Sequence, residues 1–281
     1  MSRLSPVTKI LLTNDDGIDA PGLQALAKAM TPLGEIWVVA PEKPQNAVGR
    51  CMTLHKPLRL WQEKKRWYGV NGTPADCVTL TLAYLLNDSP PNLVVSGINN
   101  GLNLGDDVTN SGTVSGALEG MLYGIPAMAI SLDTVGTSRY AVAGEVAVNI
   151  AKQILRDGLP PHTILNVNVP ACEKSQLAGV QITTLSQRRY HNPVIEKVDP
   201  RGNRYFWIAG ERISWSRRSP SDHEAISKNL VSITPVHLDL TDYSALPKLK
   251  SWEQEFSQRT LSNEKGAIRK KSQGKGIPKR R

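Results

Sequence analysis

Two adjacent carboxylates, Asp15 and Asp16, lie just after a short apolar run at residues 9–13, separated from it by Asn14. They would repel each other at neutral pH unless a positive charge lay beside them, and a divalent cation is the simplest such charge. An acidic pair at a helix N-terminus, interacting with the helix dipole, is the alternative explanation. The pair is the first candidate for a site with chemistry.

Amide side chains follow two further apolar runs. Gln45 and Asn46 lie in a long loop after residues 35–40, and Asn99 lies in a glycine-rich segment after residues 92–96. Carboxylate and amide oxygens, without histidine or thiolate, suit Mg²⁺, Mn²⁺ or Ca²⁺ rather than zinc. Such a cation can activate water and shield a phosphate oxygen, which allows hydrolysis of a phosphate ester without a protein nucleophile. As alternatives, Asn46 is an ordinary loop residue and Asn99 caps a turn.

A third group of candidates, Ser111, Gly112 and Thr113, lies at the expected start of a helix. Hydroxyls and free N–H groups at the positive end of a helix can bind phosphate, and the two hydroxyls could equally be ordinary caps. Asn14 is expected either to position its loop or to contact the substrate.

Other polar and aromatic residues allow two explanations each. Asp107 is expected to be structural, and the role of Asp106 is left open, with orientation of the loop as one option. Four residues of the later chain could stack on a base, although aromatic side chains on strands more often belong to a core or an interface. They are Tyr190, His191, Tyr205 and Trp207.

These candidates must be positioned by alternating strands and helices. Through two-thirds of the chain, apolar runs alternate with helical periodicity, which predicts a doubly wound, mostly parallel α/β sheet. Ligands bind at the carboxyl ends of the strands in such a sheet, where the candidates lie. The expected strands are residues 9–13, 35–40, 92–96, 126–132 and 164–169.

Helix signals support the same pattern. Asp19 can cap a first helix that has Pro21 in its first turn, and Thr73 and Asp76 can form a capping box around Pro74. A hairpin-like excursion is expected before that box. Apolar stripes predict the buried helix faces, the first of which comprises Leu23, Leu26, Ala27 and Met30.

Beyond Gly179 the helical periodicity stops and extended segments take over, with a tight-turn signal at residues 199–203. The expected organisation is a Rossmann-like catalytic core, a β-rich hairpin extension with returning strands and oligomer contacts, a C-terminal helix and a disordered basic tail. The core would comprise residues 1–180 and the extension residues 181–245. The C-terminal helix would comprise residues 246–264 and the tail residues 265–281.

The net charge of +9 is concentrated at the C-terminal end of the sequence. Eight basic residues and no acidic residue follow Glu264, whereas 26 basic and 25 acidic residues lie in the chain up to that point. The nearly neutral body does not have the charge of a polyanion-binding protein. Its tail is either a solvated appendage or a segment that contacts nucleic acid.

Composition excludes several classes of protein. Three cysteines without CxxC spacing argue against a disulfide scaffold or a cysteine zinc site, and five scattered histidines argue against a histidine zinc site. The sequence NDDG replaces the GxGxxG that a dinucleotide-binding oxidoreductase needs. No apolar run fits a signal peptide or a membrane span, so we expect a cytoplasmic protein without a membrane partner.

A series of motifs, taken together, resembles the stationary-phase survival protein SurE family. The resemblance extends over about residues 7 to 245 in the same order throughout. The motifs are LLTNDDG at 11–17, APG at 20–22, VVAP at 38–41, GTPADCV at 72–78, VVSGIN at 94–99, NLGDDV at 103–108, SGTV at 111–114 and VSITP at 231–235.

The resemblance implies a metal-dependent 5′-nucleotidase acting on nucleoside monophosphates, with one Mg²⁺ or Mn²⁺ per subunit held by Asp15, Asp16, Asn46 and Asn99. Asp15 and Asp16 would also be the catalytic residues. Activity on 3′-nucleotides or short polyphosphates is the broader alternative. The resemblance also implies a homodimer or homotetramer built through the hairpin extension and the C-terminal helix. Many members have Ser-Gly where this chain has Asn46-Ala47, so an amide would replace a hydroxyl ligand.

Overall fold

Strands and helices alternate through the described residues, 7–133, 140–191, 194–208, 212–215, 219–253 and 256, of this computed structural model. The strands are β1 (Lys9–Thr13), β2 (Glu35–Pro41), β3 (Leu60–Lys64), β4 (Trp67–Val70), β5 (Leu93–Asn100), β6 (Ala127–Leu132), β7 (Ile164–Val169), β8 (Gly179–Ile182), β9 (Arg188–His191), β10 (Val194–Val198), β11 (Arg204–Ile208), β12 (Arg212–Trp215) and β13 (Leu230–Val236). The helices are α1 (Pro21–Met30), α2 (Pro74–Leu80), α3 (Gly112–Leu122), α4 (Tyr140–Asp157), α5 (Asp222–Ser227) and α6 (Leu246–Leu249).

Nine strands form one sheet in the order β3-β4-β2-β1-β5-β6-β7-β13-β8. The six strands from β4 to β7 in this order run parallel, whereas β3 and the β13-β8 pair at the two ends run in the opposite direction. The chain passes from β1 to β2 on one side and later returns to β5 on the other side of β1. The gap between the carboxyl ends of β1 and β5 is therefore the topological switch point, where ligands bind in such sheets.

Buried apolar side chains attach helices to the sheet. The stripe predicted for α1 is confirmed, because Leu23, Leu26, Ala27 and Met30 are all buried. Helix α1 packs with α4, and α2 packs with α3. Ile10 and Leu12 of β1 belong to the core cluster that contains the α1 and α4 side chains. This arrangement confirms the Rossmann-like, doubly wound α/β class expected from the sequence.

The capping box at the start of α2 is confirmed. The Thr73 hydroxyl accepts from the Asp76 N–H at 3.2 Å, and the Asp76 carboxylate accepts from the Thr73 N–H at 2.9 Å. The predicted cap at Asp19 is wrong. Ala20 is the residue before α1 and offers no side-chain cap, so Pro21 alone marks this helix start.

Strand β5 is longer than the sequence predicts. It continues past Ser96 to Asn100, because Asn99 and Asn100 pair with Ser131 and Leu132 of β6 after a shift in register. The glycine-rich segment that was expected to be a loop therefore begins as strand. Asn99 is consequently held by a ladder of backbone hydrogen bonds rather than by a free loop.

The chain beyond Gly179 contains more than the extended segments expected from the sequence. Strands β8 and β13 join the main sheet, and the first compact unit extends from Met1 to His237. The expectation that helices stop is wrong, because α5 forms where Ser221 caps the N–H of Glu224 at 3.2 Å.

The hairpin extension consists of two antiparallel ribbons, β9 with β12 and β10 with β11. The predicted turn at residues 199–203 joins β10 to β11, where the Asp199 N–H donates to the Asn203 carbonyl oxygen at 2.9 Å. Exposed apolar side chains cover the second ribbon, which is rich in aromatic and β-branched residues. They are Val194, Val198, Tyr205, Phe206, Trp207 and Ile208.

The second compact unit, Leu238–Arg281, contains α6 and further helical residues at 251–253. Most of the helix predicted for 246–264 and the whole of the tail predicted for 265–281 lie outside the described residues. No helix among the described residues is long and apolar enough to cross a membrane.

Candidate active site

The carboxylate of Asp15 is buried at the end of β1 and held by the start of α3. It is 4% exposed. One oxygen accepts from the Thr113 hydroxyl, and the other accepts from the Thr113 N–H at 3.1 Å. Burial raises the pKa of Asp15 to about 6. The hydrogen bond from the Thr113 hydroxyl lowers this pKa, and the neighbouring charge of Asp16 raises it by a smaller amount. The environment therefore opposes the negative charge until a cation lies nearby.

Asp16 is the second carboxylate of the pair and is more open. Its Oδ2 accepts from the backbone N–H of Asn100 at 3.1 Å, which ties the end of β1 to the end of β5. Burial raises the pKa of Asp16, and the Asn100 N–H partly offsets this rise. None of the ion pairs between described residues includes Asp15 or Asp16.

The loop after β2 brings Asn46 to the same place. The Gln45 N–H donates to the carbonyl oxygen of Asp15 at 2.6 Å. Further along the loop, Arg50 Nη2 donates to Oε2 of the buried Glu119 on α3 at 3.0 Å. Asn46 itself is exposed, so its side chain stays accessible while the loop that bears it is anchored on both sides.

Asn99 approaches from the end of β5. Its Nδ2 donates to the carbonyl oxygen of Gly101 at 2.8 Å. This bond uses the donor side of the amide and leaves Oδ1 as the group that could bind a cation.

One cavity gathers these side chains at the switch point. Its volume is about 690 Å³. Among the described residues, no Lys, Arg or His lines it, so its charged walls are entirely acidic. The lining residues are Asp15, Asp16, Asn46, Ala47, Asn99, Asn100, Gly101, Leu102, Asn103, Asp107, Asn110, Ser111 and Ile208.

The four expected metal ligands and Ser111 thus share one cavity, whereas Asn14, Gly112 and Thr113 do not line it. Asn14 is fully buried, and its Nδ2 donates to the Gly17 carbonyl oxygen at 2.9 Å. The structure brings Gly112 and Thr113 against Asp15 instead.

Two backbone N–H groups at the start of α3 already donate hydrogen bonds within the protein. The Ser111 hydroxyl accepts from the Val114 N–H at 3.1 Å, which is an ordinary N-cap. The Thr113 N–H donates to Oδ2 of Asp15. The helix end therefore serves first to hold a carboxylate, which its positive dipole also favours.

The donor set fits a hard divalent cation. The carboxylates of Asp15 and Asp16 and the amide oxygens of Asn46 and Asn99 are the ligand types that Mg²⁺ and Mn²⁺ prefer. Across the described residues, no group of three or more His, Cys, Asp or Glu side chains could hold a metal. A cation at Asp15 and Asp16 would therefore depend on the amides for further protein ligands.

Sequence reasoning missed a buried amide cluster that fixes the cavity wall. The Asn103 N–H donates to Asn168 Oδ1 at 2.9 Å, and the Asn103 carbonyl oxygen accepts from Nδ2 of Asn166 and of Asn168 at 2.9 and 3.0 Å. Asn103 Nδ2 donates to the Ser131 hydroxyl at 2.7 Å. The available signal was the pair of asparagines two residues apart on one face of the apolar strand β7.

The fold and the site define a Rossmann-like α/β protein with an acidic cavity at the switch point of its sheet. A family model described as Survival protein SurE matches residues 10–192. The chain therefore belongs to the SurE family.

Individual relatives agree with this assignment. A protein of Geotalea daltonii named 5′-nucleotidase SurE is 50% identical over 246 residues, covering 87% of this chain and 99% of the relative. A protein of the same name from Geobacter sulfurreducens is 45% identical over 260 residues, covering 92% of this chain and 99% of the relative. The crystal structure of the SurE protein from Aquifex aeolicus superposes with a TM-score of 0.80 at 41% identity, covering 87% of this chain and 99% of that one.

Proposed function

We propose that this chain hydrolyses nucleoside 5′-monophosphates to nucleoside and phosphate, using one bound divalent cation, Mg²⁺ or Mn²⁺, per subunit. Its membership in the SurE family and the shared name of its relatives support an enzyme of the nucleotidase and phosphatase class. The observation that carries the proposal is the single cavity lined by Asp15, Asp16, Asn46 and Asn99.

The charge of the cavity supports the need for a cation. A phosphate monoester is anionic, and it would enter a cavity whose charged residues are Asp15, Asp16 and Asp107. In the part of the chain that the structure describes, no basic side chain lines the cavity to offset this repulsion. A bound divalent cation would shield the phosphate oxygens and lower the pKa of a water molecule.

The residues of the chain itself supply orientation. Thr113 holds the Asp15 carboxylate with two hydrogen bonds, and the Asn100 N–H holds Asp16. Carboxylates fixed in this way keep their positions when a ligand binds, which reduces the reorganisation needed at each turnover. We assign to Asn46 and Asn99 the neutral oxygen ligands that complete the set.

Phosphate contacts remain part of the proposal. Ser111 lines the cavity beside the start of α3 and is the best placed of the expected phosphate contacts. Asn14, Gly112 and Thr113 would act through the placement of Asp15 and its loop, because they are buried away from the cavity. Leu102 and Ile208 are apolar parts of the cavity wall that a base could contact.

The proposal is tested by phosphate release from AMP in the presence of Mn²⁺. Asp15→Asn and Asp16→Asn are each expected to lower kcat/KM at least about 100-fold, because each removes a charge placed for catalysis. Asp19→Asn is the control, since Asp19 is a nearby exposed carboxylate that does not line the cavity. Wild-type rates in both site variants would refute the proposed site.

A homodimer or homotetramer stays a prediction. The β10-β11 ribbon supports it, because Val194, Phe206 and Trp207 are all more than half exposed. Exposed apolar side chains concentrated on one ribbon are typical of an interaction surface.

A further inference from the structure

A fully buried carboxylate, that of Asp222, joins three segments that lie far apart in the chain. Its Oδ1 accepts from the backbone N–H groups of Ser186 at 3.0 Å and His223 at 2.7 Å. Its Oδ2 accepts from the N–H of Gly105 at 2.7 Å. No ion pair of Asp222 is found within the described ranges, so backbone dipoles are the groups that stabilise this carboxylate.

Gly105 and Ser186 approach each other more closely than any side chain would allow. Gly105 has a φ of +54°, and a Cβ at this position would lie 2.3 Å from the carbonyl oxygen of Ser186. Glycine is therefore required by both the backbone conformation and the contact. Asp222 lies at this junction and bonds to both sides of it.

Gly105 lies in the middle of a segment that forms one wall of the active-site cavity. We call residues 101–111 the cavity loop. Asn103, on one side of Gly105, is anchored by the amides of Asn166 and Asn168. The residues of the cavity loop that line the cavity are Gly101, Leu102, Asn103, Asp107, Asn110 and Ser111.

We propose that Asp222 is a positioning residue that holds the cavity loop, through Gly105, in the arrangement that receives the substrate. The proposal rests on the proposed function, because it assigns this loop to substrate binding in the same cavity. Asp222 does not line the cavity and acts only through the loop. Oriented polar groups on a fixed wall bind a substrate with less loss of entropy than mobile ones.

The position of the loop determines which kinetic constant Asp222 controls. Asp15 and Asp16 lie at the end of β1, outside the cavity loop, and their hydrogen bonds come from Thr113 and Asn100. Loss of the Asp222 anchor leaves these bonds in place and disorders the substrate wall. It therefore raises KM for the nucleotide and changes kcat little.

A purely structural role of Asp222 makes a different prediction. A variant that only unfolds more easily lowers the concentration of active enzyme, which lowers the measured rate at every substrate concentration. KM is independent of that concentration. The division of the effect between KM and kcat therefore separates positioning from general stability.

The experiment compares wild type, Asp222→Asn and Gly105→Ala in AMP hydrolysis at saturating Mn²⁺, with thermal unfolding recorded for each. In Asp222→Asn an NH₂ group replaces one acceptor oxygen, so at least one N–H of the junction loses its partner. In Gly105→Ala the new Cβ forces Gly105 and Ser186 apart. Each variant is expected to raise KM by about tenfold, with kcat changed less than about threefold.

Asp199→Asn is the matched control. Asp199 also accepts backbone N–H bonds, from Arg201 and Asn203, but in the turn of the β10-β11 ribbon, and it does not line the cavity. Its KM should equal that of wild type. If Asp222→Asn does not fold, Gly105→Ala tests the same junction.

An unchanged KM in the folded variants would overturn the positioning role, while wild-type turnover of AMP in the same assay would leave the proposed function intact. A wild type without activity towards AMP would refute both.

Discussion

Asp15 is an ionisable residue whose surroundings oppose its charge. Burial is the largest cause of its raised pKa, and the two hydrogen bonds from Thr113 only partly offset that cause. A side chain that is costly to ionise and has no basic partner in the described chain gains most when a cation binds. A destabilising charge of this kind is what the proposed metal-binding role of Asp15 requires, because active sites often trade stability for function.

This cost predicts how the stability of the metal-free protein depends on pH. The pKa of Asp15 is about 6 in the folded chain against 3.8 in its reference state, so the folded state binds the proton more tightly. The contribution of Asp15 to the free energy of unfolding is fully present below pH 3.8, where the carboxyl is protonated in both states. This contribution is lost as pH rises through 6, where the folded protein must ionise a buried carboxyl. Relative to Asp15→Asn, the free energy of unfolding of wild type should fall by about 1 kcal/mol between pH 5 and pH 7.

Urea unfolding in EDTA at both pH values measures this difference. The asparagine variant is the reference because it can keep both contacts with Thr113, whose hydroxyl can accept as well as donate. A difference between the two proteins that does not change with pH would contradict a raised pKa of Asp15.

At the same scale, the sequence predicted the candidate ligands better than their partners. Asp15 and Asp16 were recognisable because they follow an apolar strand, and the carboxyl edge of the sheet is where ligands bind. The pairing of Asp15 with Thr113, 98 positions later, depends on how α3 meets β1. Asp222 was not recognisable either, because its three partners are backbone groups that have no signature in the sequence.

At the scale of elements, the site depends on how closely α3 approaches β1. A Cβ added at Gly112 would lie 2.8 Å from the Cβ of Asp15 and 3.1 Å from the carbonyl oxygen of Gln45. Glycine at this position lets the helix start reach the carboxylate. The β1 end, the loop after β2 and the first turn of α3 therefore meet at one point.

Gly112→Ala should therefore displace Asp15 and lower kcat/KM by about 10- to 100-fold, because small displacements at a reacting centre have large effects on rate. Gly120→Ala on the same helix is a matched control, since its Cβ would lie 2.8 Å from a side-chain carbon of Val94 in the core. The control should lower the melting temperature but keep the kcat/KM of the folded protein. Equal kinetic effects in the two variants would contradict the role assigned to Gly112.

Elements with strong local signals were predictable, and elements created by pairing were not. The capping box of Thr73 and Asp76 and the stripe of α1 depend on neighbouring residues, and both are confirmed. Helix α5 has only six residues, which is too short to show an apolar period. The extension of β5 to Asn100 follows from pairing with β6, which local sequence does not encode.

At the scale of the whole molecule, the order of the strands places the site. The chain continues from β1 to β2 on one side and returns to β5 on the other, and ligands bind at the carboxyl ends of two such neighbouring strands. The alternating pattern predicted this class of sheet. The sequence predicted returning strands after residue 180 but not their order, in which β13 pairs with β7 and β8 forms the edge of the sheet.

The basic tail is a feature of the whole chain, and we expect it to be independent of catalysis. Eight of the 34 basic residues follow Glu264, with no acidic residue among them. Truncation after Glu264 should leave kcat/KM for AMP unchanged and abolish any salt-dependent binding to nucleic acid. A gel-shift series at two salt concentrations, with the full chain as control, measures this. Binding that survives the truncation would instead assign nucleic-acid contacts to the body.

The central claim is that the cavity at the switch point hydrolyses nucleotides only with a divalent cation bound to its two carboxylates. Phosphate release from AMP should be measured after EDTA treatment and removal of the chelator, as Mn²⁺ is added back. The account predicts negligible release without metal and a saturable recovery in wild type that Asp15→Asn does not show. Full activity after removal of the metal would contradict it.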